Sequence, residues 1–209
     1  IGSYSLSSNT IGISNTATGT QTLNANTTGN YNSATGRGSL QFNTTGNDNV
    51  GNGLQSLYNS TSGNNNVAIG NYSLHANTTG SNNTAIGFRS NVGAGNLTNA
   101  TAIGNFALVS QSNTLILGSI AGVNGAPAST NVGIGNTAPT GRLDVTGNLK
   151  FSGALMTNND AGTTGQVLMS GGAGAAHTSG QRAAPALPER TGDAQCTAGT
   201  GRHSGDQRE

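Results

Sequence analysis

Residues 64–87 read NNNVAIGNYSLHANTTGSNNTAIG, so the motif that ends at Gly70 returns 17 positions later, at Gly87. The same step extends along the chain in both directions, and glycine, leucine and asparagine follow it in one common register. Biased composition alone does not produce several series in one register, so the chain contains a true repeat. The series are Gly19, Gly36, Gly53, Gly70, Gly87 and Gly104; Leu23, Leu40, Leu57, Leu74 and, after a gap at Asn91, Leu108; and Asn32, Asn49, Asn66 and Asn83.

One repeat unit has the residues of one coil of a solenoid. The VAI before Gly70 and the TAI before Gly87 predict strands of three to five residues, and SLHA before Asn77 predicts an opposing strand. Glycine supplies positive φ or a close backbone approach at the corners, and asparagine favours turns. Glycine and asparagine recur too often for a helix. The sequence therefore predicts an all-β fold, a parallel β-solenoid of about eight coils.

The composition excludes several classes of protein. Only 7% of the 209 residues are charged and 32% are hydrophobic, against about 25% and 45–50% in ordinary domains. A compact enzyme with one thick core is therefore disfavoured. The net charge of +1 gives no electrostatic basis for binding nucleic acid or an anionic membrane, and no apolar run approaches the about 20 residues of a membrane span. A core this thin favours a homo-oligomer in which several chains share one core. We expect the leucine series to form the seam between the chains.

The repeat changes near residue 104 and later ends. From Gly104 to Gly118 the step shortens to 14 positions, and from Gly118 to Gly135 it is again 17. We therefore divide the chain into a repeat region at 1–135, a neck-like Gly- and Thr-rich segment with short strands at 136–170, and a charged tail at 171–209. The tail lacks periodicity, so we expect it to be disordered, and it has the character of an out-of-frame end. The chain opens inside a repeat, which favours a fragment of a longer protein.

At this point the repeat carries a resemblance to known families. The AIGxxSL units and the shorter step TAIGNFALVSQSNTLILG at 101–118 resemble the head repeats of YadA-like trimeric autotransporter adhesins. NVGIG at 131–135, RLDVTGNL at 142–149 and GTTGQVLMS at 162–170 look like tail-fibre-type surface proteins of bacteria or phages. The resemblance implies a left-handed β-roll and a homotrimer. It also implies a location outside the cell, on a bacterial surface or a virion.

The residue types that catalysis and metal binding need are scarce in the repeat. Asp48 has no carboxylate neighbour, so paired acid–base chemistry is excluded there. His75 takes a variable position of the repeat, and we expect an exposed filler. Cys196, the single cysteine, is too little for a disulfide or a structural zinc site. We therefore expect no catalytic residue, no cofactor and no metal.

Sparse aromatic residues follow the IG turns. Two roles are open for them: packing at a coil corner or at a seam between chains, or contact with a ligand. For stacking on sugars, Tyr31 and Tyr72 are the better candidates. The favoured function is a non-enzymatic adhesive rod that presents weak multivalent sites to a host glycan or extracellular-matrix ligand. Two alternatives are a phage tail-fibre shaft and an ice-binding solenoid. Ice binding is disfavoured because the threonine pairs, such as Thr27-Thr28, are adjacent and point to opposite faces.

Overall fold

The computed structural model describes residues 2–150, 166–169 and 178–181, and these residues contain strands and turns but no helix. Seven strands form one parallel sheet, here called the main sheet. Each begins where the repeat places a short β-prone segment. They are β1 Thr16–Thr18, β2 Ser33–Thr35, β3 Val50–Asn52, β4 Val67–Ile69, β5 Thr84–Ile86, β7 Ala100–Ile103 and β9 Thr114–Leu117.

The register of the main sheet follows the sequence period. Ala68 pairs with Ala85, and Ala85 pairs with Ala102, each one period of 17 positions further on. Between β7 and β9 the step is 14 positions, with Ala102 opposite Ile116. The predicted parallel β-solenoid of 17-residue coils is confirmed, but it has about six turns instead of the expected eight coils. At about 4.8 Å per strand, six steps span roughly 29 Å along the stack.

The core is a narrow interior made of small residues and leucines. The central residue of each strand points inward, and Ala34, Ala68, Ala85 and Ala102 are fully buried there. Across the interior lies a column of fully buried leucines, Leu23, Leu40, Leu57 and Leu74. The expectation that the leucines form a seam between chains is therefore wrong, because their side chains fill the inside of their own chain.

The corner glycines after the strands have a backbone that other residues rarely adopt. Gly53 has a φ of +138°, and a Cβ built on it would lie 2.5 Å from the carbonyl oxygen of Gly70 in the next coil. The series from Gly19 to Gly104 shares this conformation, with φ between +117° and +138°. Both the positive φ and the close approach of successive coils require glycine here.

The predicted opposing strand at SLHA is absent from the first five coils. The leucines there have positive φ, for example 50° at Leu57 and 47° at Leu74, so the segment is a turn. Coil-to-coil hydrogen bonds persist, as from the Leu57 N–H to the Ser73 carbonyl at 2.9 Å. The segment opposite the main sheet becomes extended only in the later coils. There β6 Asn91–Val92 pairs in parallel with β8 Leu108–Val109.

That change of conformation alters which residue of the repeat is buried. In β6 and β8 the fully buried side chains are Val92 and Val109. Leu108 continues the leucine series in sequence, yet it is only half-buried. An extended backbone turns the side chain at the leucine position outward and the next one inward. Leu108 therefore continues the leucine series in sequence but lies outside the column of buried leucines.

After the main sheet the chain leaves the stack. β10 Val132–Ile134 pairs in parallel with β11 Leu143–Val145 in a separate two-stranded sheet. The segment between Gly118 and Gly135 therefore adds no eighth strand to the main sheet, which differs from the expected further coil. By its contacts the chain divides into two units, Ile1–Leu149 and Lys150–Glu209.

The second unit contains one antiparallel pair, β12 Gln166–Met169 with β13 Thr178–Gln181. The strand β13 lies inside the segment 171–209, for which disorder was expected, and disorder of that segment is not confirmed. The other tail residues, and with them Cys196, lie outside the described residues.

Candidate functional site

A polar ladder of asparagines runs through the solenoid beside the strands. In this ladder the backbone N–H of each asparagine donates to the Oδ1 of its equivalent one coil earlier, as from Asn66 to Asn49 at 3.0 Å. The Nδ2 of Asn32, Asn49 and Asn66 donates to a glycine carbonyl across the turn, as from Asn66 to Gly80 at 2.9 Å, and the Nδ2 of Asn83 donates to the Leu97 carbonyl at 2.7 Å. Asn32, Asn49, Asn66 and Asn83 are all buried, so these hydrogen bonds satisfy groups that water does not reach. Their role is structural.

A second asparagine column contains a gap. Asn26 donates through Nδ2 to the Oδ1 of Asn9 at 2.7 Å, and Asn43 donates in the same way to Asn26 at 2.8 Å. The next member of the column is Ser60, whose side chain carries no amide to continue the series. The Asn43 Oδ1 and the Ser60 Oγ are both buried without a hydrogen-bond partner.

The outward side chains of the main sheet form an uncharged surface, here called the outer sheet face. They are the first and third residues of each three-residue strand and their equivalents in β7 and β9. In the first coils they are Ser and Thr, but from β3 onward most are apolar. Ile86 and Ile103 are 38% and 37% exposed, and Leu117 is 50% exposed. The face has no charged residue, and its members are Thr16, Thr18, Ser33, Thr35, Val50, Asn52, Val67, Ile69, Thr84, Ile86, Thr101, Ile103, Leu115 and Leu117.

A row of aromatic rings follows another edge of the solenoid. The rings belong to residues that neighbour one another in the stack of coils, and each contacts the next. Tyr58 stacks on His75 with 5.2 Å between ring centroids and an interplanar angle of 3°. The remaining neighbours meet edge-on or tilted, at centroid distances from 5.0 to 6.2 Å. In order the row is Phe42, Tyr58, His75, Tyr72, Phe88 and Phe106.

Next to Tyr72 the row borders a cleft of about 370 Å³, here called the Arg89 cleft. The guanidinium carbon of Arg89 lies 5.9 Å from the ring centroids of both Tyr72 and Phe88. At that distance the cation is attracted to the ring electrons. The cleft is lined by Tyr72, His75, Arg89, Asn91, Asn124 and Gly125.

One wall of the cleft comes from a loop beyond the main sheet. The Nδ2 of Asn124 donates to the Arg89 carbonyl at 2.6 Å, a contact between residues 35 positions apart. The Oδ1 of Asn91 accepts hydrogen bonds from the Ala76 and Val92 N–H groups at 3.1 and 2.9 Å. The Asn91 Nδ2 and the Asn124 Oδ1 have no hydrogen-bond partner within residues 2–150, so a donor and an acceptor remain available there.

His75 differs from its sequence interpretation as an exposed filler. It is half-buried, and its Nδ1 lies 3.4 Å from the Nδ2 of Asn59. Burial and, to a lesser degree, the positive charge of Arg89 lower its pKa below the usual value. The imidazole is therefore neutral at neutral pH, and Arg89 supplies the formal charge of the cleft.

The structure separates the two tyrosines that were candidates for ligand contact. Tyr72 lines the Arg89 cleft, whereas Tyr31 is 58% exposed and belongs to neither the cleft nor the aromatic row. Sequence reasoning missed Arg89, although its spacing of one full repeat from Tyr72 was a usable signal. It also missed Asn124, which no period connects to Tyr72.

The described residues lack two other features that would indicate a function, a metal-binding cluster and a membrane-spanning helix. No cluster of three or more His, Cys, Asp or Glu side chains is placed to hold a metal ion there. In the same residues no helix has the length and apolar character needed to cross a membrane. Comparison with protein-family models, with curated proteins and with solved structures finds no match for this chain.

Proposed function

We propose that this chain is the non-enzymatic repeat region of a surface adhesin or fibre that works as a homotrimer outside the cell. The observation that carries the proposal is a regular stack of coils whose sheet face is uncharged, exposed and, from β3 onward, mostly apolar. Contiguous apolar surface on a soluble protein marks an interaction site. The aromatic row belongs to the turn segments of the coils and lies outside the strands of the main sheet.

The outer sheet face is the proposed contact between chains, in place of the leucines. Its partner is a second copy of the same chain, because the face lacks the charge that would select an acidic or basic partner. Its side chains repeat with the spacing of the strands, so identical copies present identical rows of ridges to one another. Covering Ile69, Ile86 and Ile103 would also protect these exposed apolar side chains from non-specific association.

Two variants with the same chemical change test the contact. Ile86→Lys places a charge on the outer sheet face, and Ile11→Lys places one at an exposed position outside the strands, where Ile11 is 73% exposed. We expect the full chain and Ile11→Lys to have three times the mass of one chain by sedimentation. We expect Ile86→Lys to sediment as a single chain with an unchanged circular dichroism spectrum. A single-chain mass for the unmodified protein would overturn the trimer.

The proposed adhesion depends on avidity, the combined effect of several weak contacts made at once. Three copies held side by side present each weak site three times, and simultaneous contacts multiply the apparent affinity. The test is binding of the full chain to arrays of glycans and of extracellular-matrix proteins, next to Ile86→Lys. We expect the trimer to bind and the single chain to lose most of the signal. An unmodified trimer that binds neither array would contradict the adhesive role and favour the phage tail-fibre shaft.

The structure offers little support for ice binding. The Oγ1 of Thr27 donates to the Thr44 carbonyl at 2.9 Å, so this hydroxyl column serves the solenoid itself. Outward threonines two apart on one face occur in β1, as Thr16 and Thr18, and β2 offers only a serine and a threonine. From β3 onward the same face is mainly apolar, so the hydroxyl array is two strands wide.

A further inference from the structure

The Arg89 cleft occurs once within residues 2–150, although the coils around it repeat. An arginine one full repeat after a tyrosine, on the same edge of the solenoid, is found only at Tyr72 and Arg89. The opposite wall is Asn124, from the loop after the last strand of the main sheet. A ligand of this cleft therefore binds once per chain, which differs from a weak site in every coil.

The walls of the cleft suit a sugar ring. A pyranose has an apolar face of C–H groups and a rim of hydroxyls, and aromatic rings offer a flat apolar surface with an electron-rich face. Tyr72 and His75 supply such rings at the cleft wall, 6.0 Å apart by centroid. The Asn91 Nδ2 and the Asn124 Oδ1 provide one donor and one acceptor, the pair that a sugar hydroxyl satisfies. The volume of about 370 Å³ lies at the small end for ligand sites.

The charge of the cleft selects among sugars. Arg89 is exposed and carries the fork of N–H donors that matches a carboxylate through two parallel hydrogen bonds. Within residues 2–150 the side-chain carboxylates are those of Asp48 and Asp144. Asp144 accepts hydrogen bonds from the N–H and Oγ1 of Thr140, at 3.1 and 3.4 Å. The single positive charge of Arg89 matches a sugar with one carboxylate. A polyanionic ligand would need several cationic side chains.

We propose that the Arg89 cleft binds a carboxylate-bearing sugar residue of a glycan, with the carboxylate on the Arg89 guanidinium and the ring against Tyr72. The inference rests on the proposed adhesive function and names its ligand class. Uronic and sialic acids share this chemistry, and the probes below separate them. Asn91 and Asn124 position the ring through its hydroxyls. One site per chain gives three sites per trimer.

The test is titration calorimetry on the full chain with sugars matched in all but charge. The probes are methyl β-glucuronide and methyl α-N-acetylneuraminide, each next to its uncharged methyl ester. We expect one of the two acids to bind with one sugar per chain, and its ester to bind roughly ten- to hundredfold more weakly, because the charged hydrogen bonds are lost. The acid that binds identifies the sugar. Equal binding of acid and ester, or binding of neither acid, would overturn the proposal.

Two arginine variants locate the site on the chain. Arg89→Gln removes the proposed contact, and Arg37→Gln makes the same change of charge at an exposed arginine outside the cleft. We expect Arg89→Gln to weaken binding of the acid roughly ten- to hundredfold and Arg37→Gln to leave it within twofold. Both variants should unfold cooperatively, with melting temperatures within about 5 °C of that of the unmodified protein, because Arg89→Gln removes only the exposed contact of the cation with the rings. A loss of binding in Arg37→Gln equal to that in Arg89→Gln would reduce the effect to net charge and refute the site.

The failures of the two proposals are distinguishable. A trimer that binds neutral glycans but neither acid refutes the Arg89 cleft as an acidic-sugar site and leaves the adhesive role intact. A single chain that binds the acid through Arg89 supports the site and refutes the assembly. The mass measurement and the calorimetric titration therefore report on separate claims.

Discussion

Asn66 illustrates how a chain with few hydrophobic residues holds its coils together. Its N–H and Nδ2 both donate to the Asn49 Oδ1 at 3.0 Å, and its own Oδ1 accepts from the Asn83 N–H at 2.9 Å. One buried side chain therefore links the coils before and after it. Buried hydrogen bonds in a low dielectric reinforce one another, and leaving one unpaired is costly. Such polar ladders supplement the apolar interior of a thin solenoid.

The gap at Ser60 gives the first prediction at the scale of the residue. In Ser60→Asn the new Nδ2 reaches the Oδ1 of Asn43, as Asn43 itself reaches Asn26 one coil earlier. We expect the free energy of unfolding to rise by about 1–3 kcal/mol, because a buried acceptor gains its donor. Urea denaturation measures the change. The control Ser62→Asn, at an exposed position, should stay within about 0.5 kcal/mol. A destabilised Ser60→Asn would show that this coil does not accept the asparagine.

His75 gives a prediction for the effect of pH. Its pKa in the folded chain is lowered by burial and by Arg89, so the unfolded chain binds the proton more strongly. The contribution of His75 to stability is therefore complete above its ordinary pKa near 6.5 and is lost as the pH falls through the lowered value. We expect the urea midpoint to fall more between pH 7.5 and pH 4.5 in the unmodified chain than in His75→Gln. The carboxyl groups titrate in both proteins, so equal falls would contradict the assignment.

At the scale of the element, the conformation of the segment opposite the main sheet decides which side chain is buried. Leu74 lies in a left-handed turn with φ of 47° and is fully buried. Leu108 occupies the equivalent sequence position in the extended strand β8 and is half-buried. We expect Leu74→Ala to cost about 2–5 kcal/mol of unfolding free energy, the range for a buried leucine. We expect Leu108→Ala to cost less than half as much by the same measurement. Equal losses would show that both leucines fill the core.

At the scale of the whole molecule, the solenoid is a sum of similar coils, and its register depends on their length. Deleting residues 47–63 removes one full coil and joins Gly46 to Asn64, the residue equivalent to Asn47. We expect the shortened chain to keep its circular dichroism spectrum and cooperative unfolding. The slope of its unfolding free energy against denaturant concentration should fall by roughly a tenth. This slope is proportional to the surface that unfolding exposes, and the shortened chain buries less surface.

The matched deletion removes residues 48–63, one residue fewer. The retained residue shifts the register at the junction, so inward and outward side chains of the neighbouring strands exchange faces. We expect loss of cooperative unfolding and of part of the β signal. If this shorter deletion folds as well as the deletion of a full coil, register is not the determinant of the stack.

The sequence alone determined the period, the parallel stacking and the glycine corners. Equal spacing of Gly53, Gly70 and Gly87 fixes which residues lie above one another, because coils of equal length in parallel strands place each residue over its equivalent one period later. The short Val67–Ile69 strand also follows from its residues. Each of these features arises within one coil or between adjacent coils, so a local pattern carries enough information.

The tertiary structure decided the direction of the side chains and the composition of the cleft. Leucine rarely adopts positive φ, so the turn at Leu74 and the outward isoleucines do not follow from local preference. These conformations arise where the coil closes on itself around a narrow interior. Asn124 joins the cleft because the chain leaves the stack and returns against Arg89, over 35 positions that follow no period. Such a contact depends on the path of the whole chain, and the residues of a single coil do not contain it.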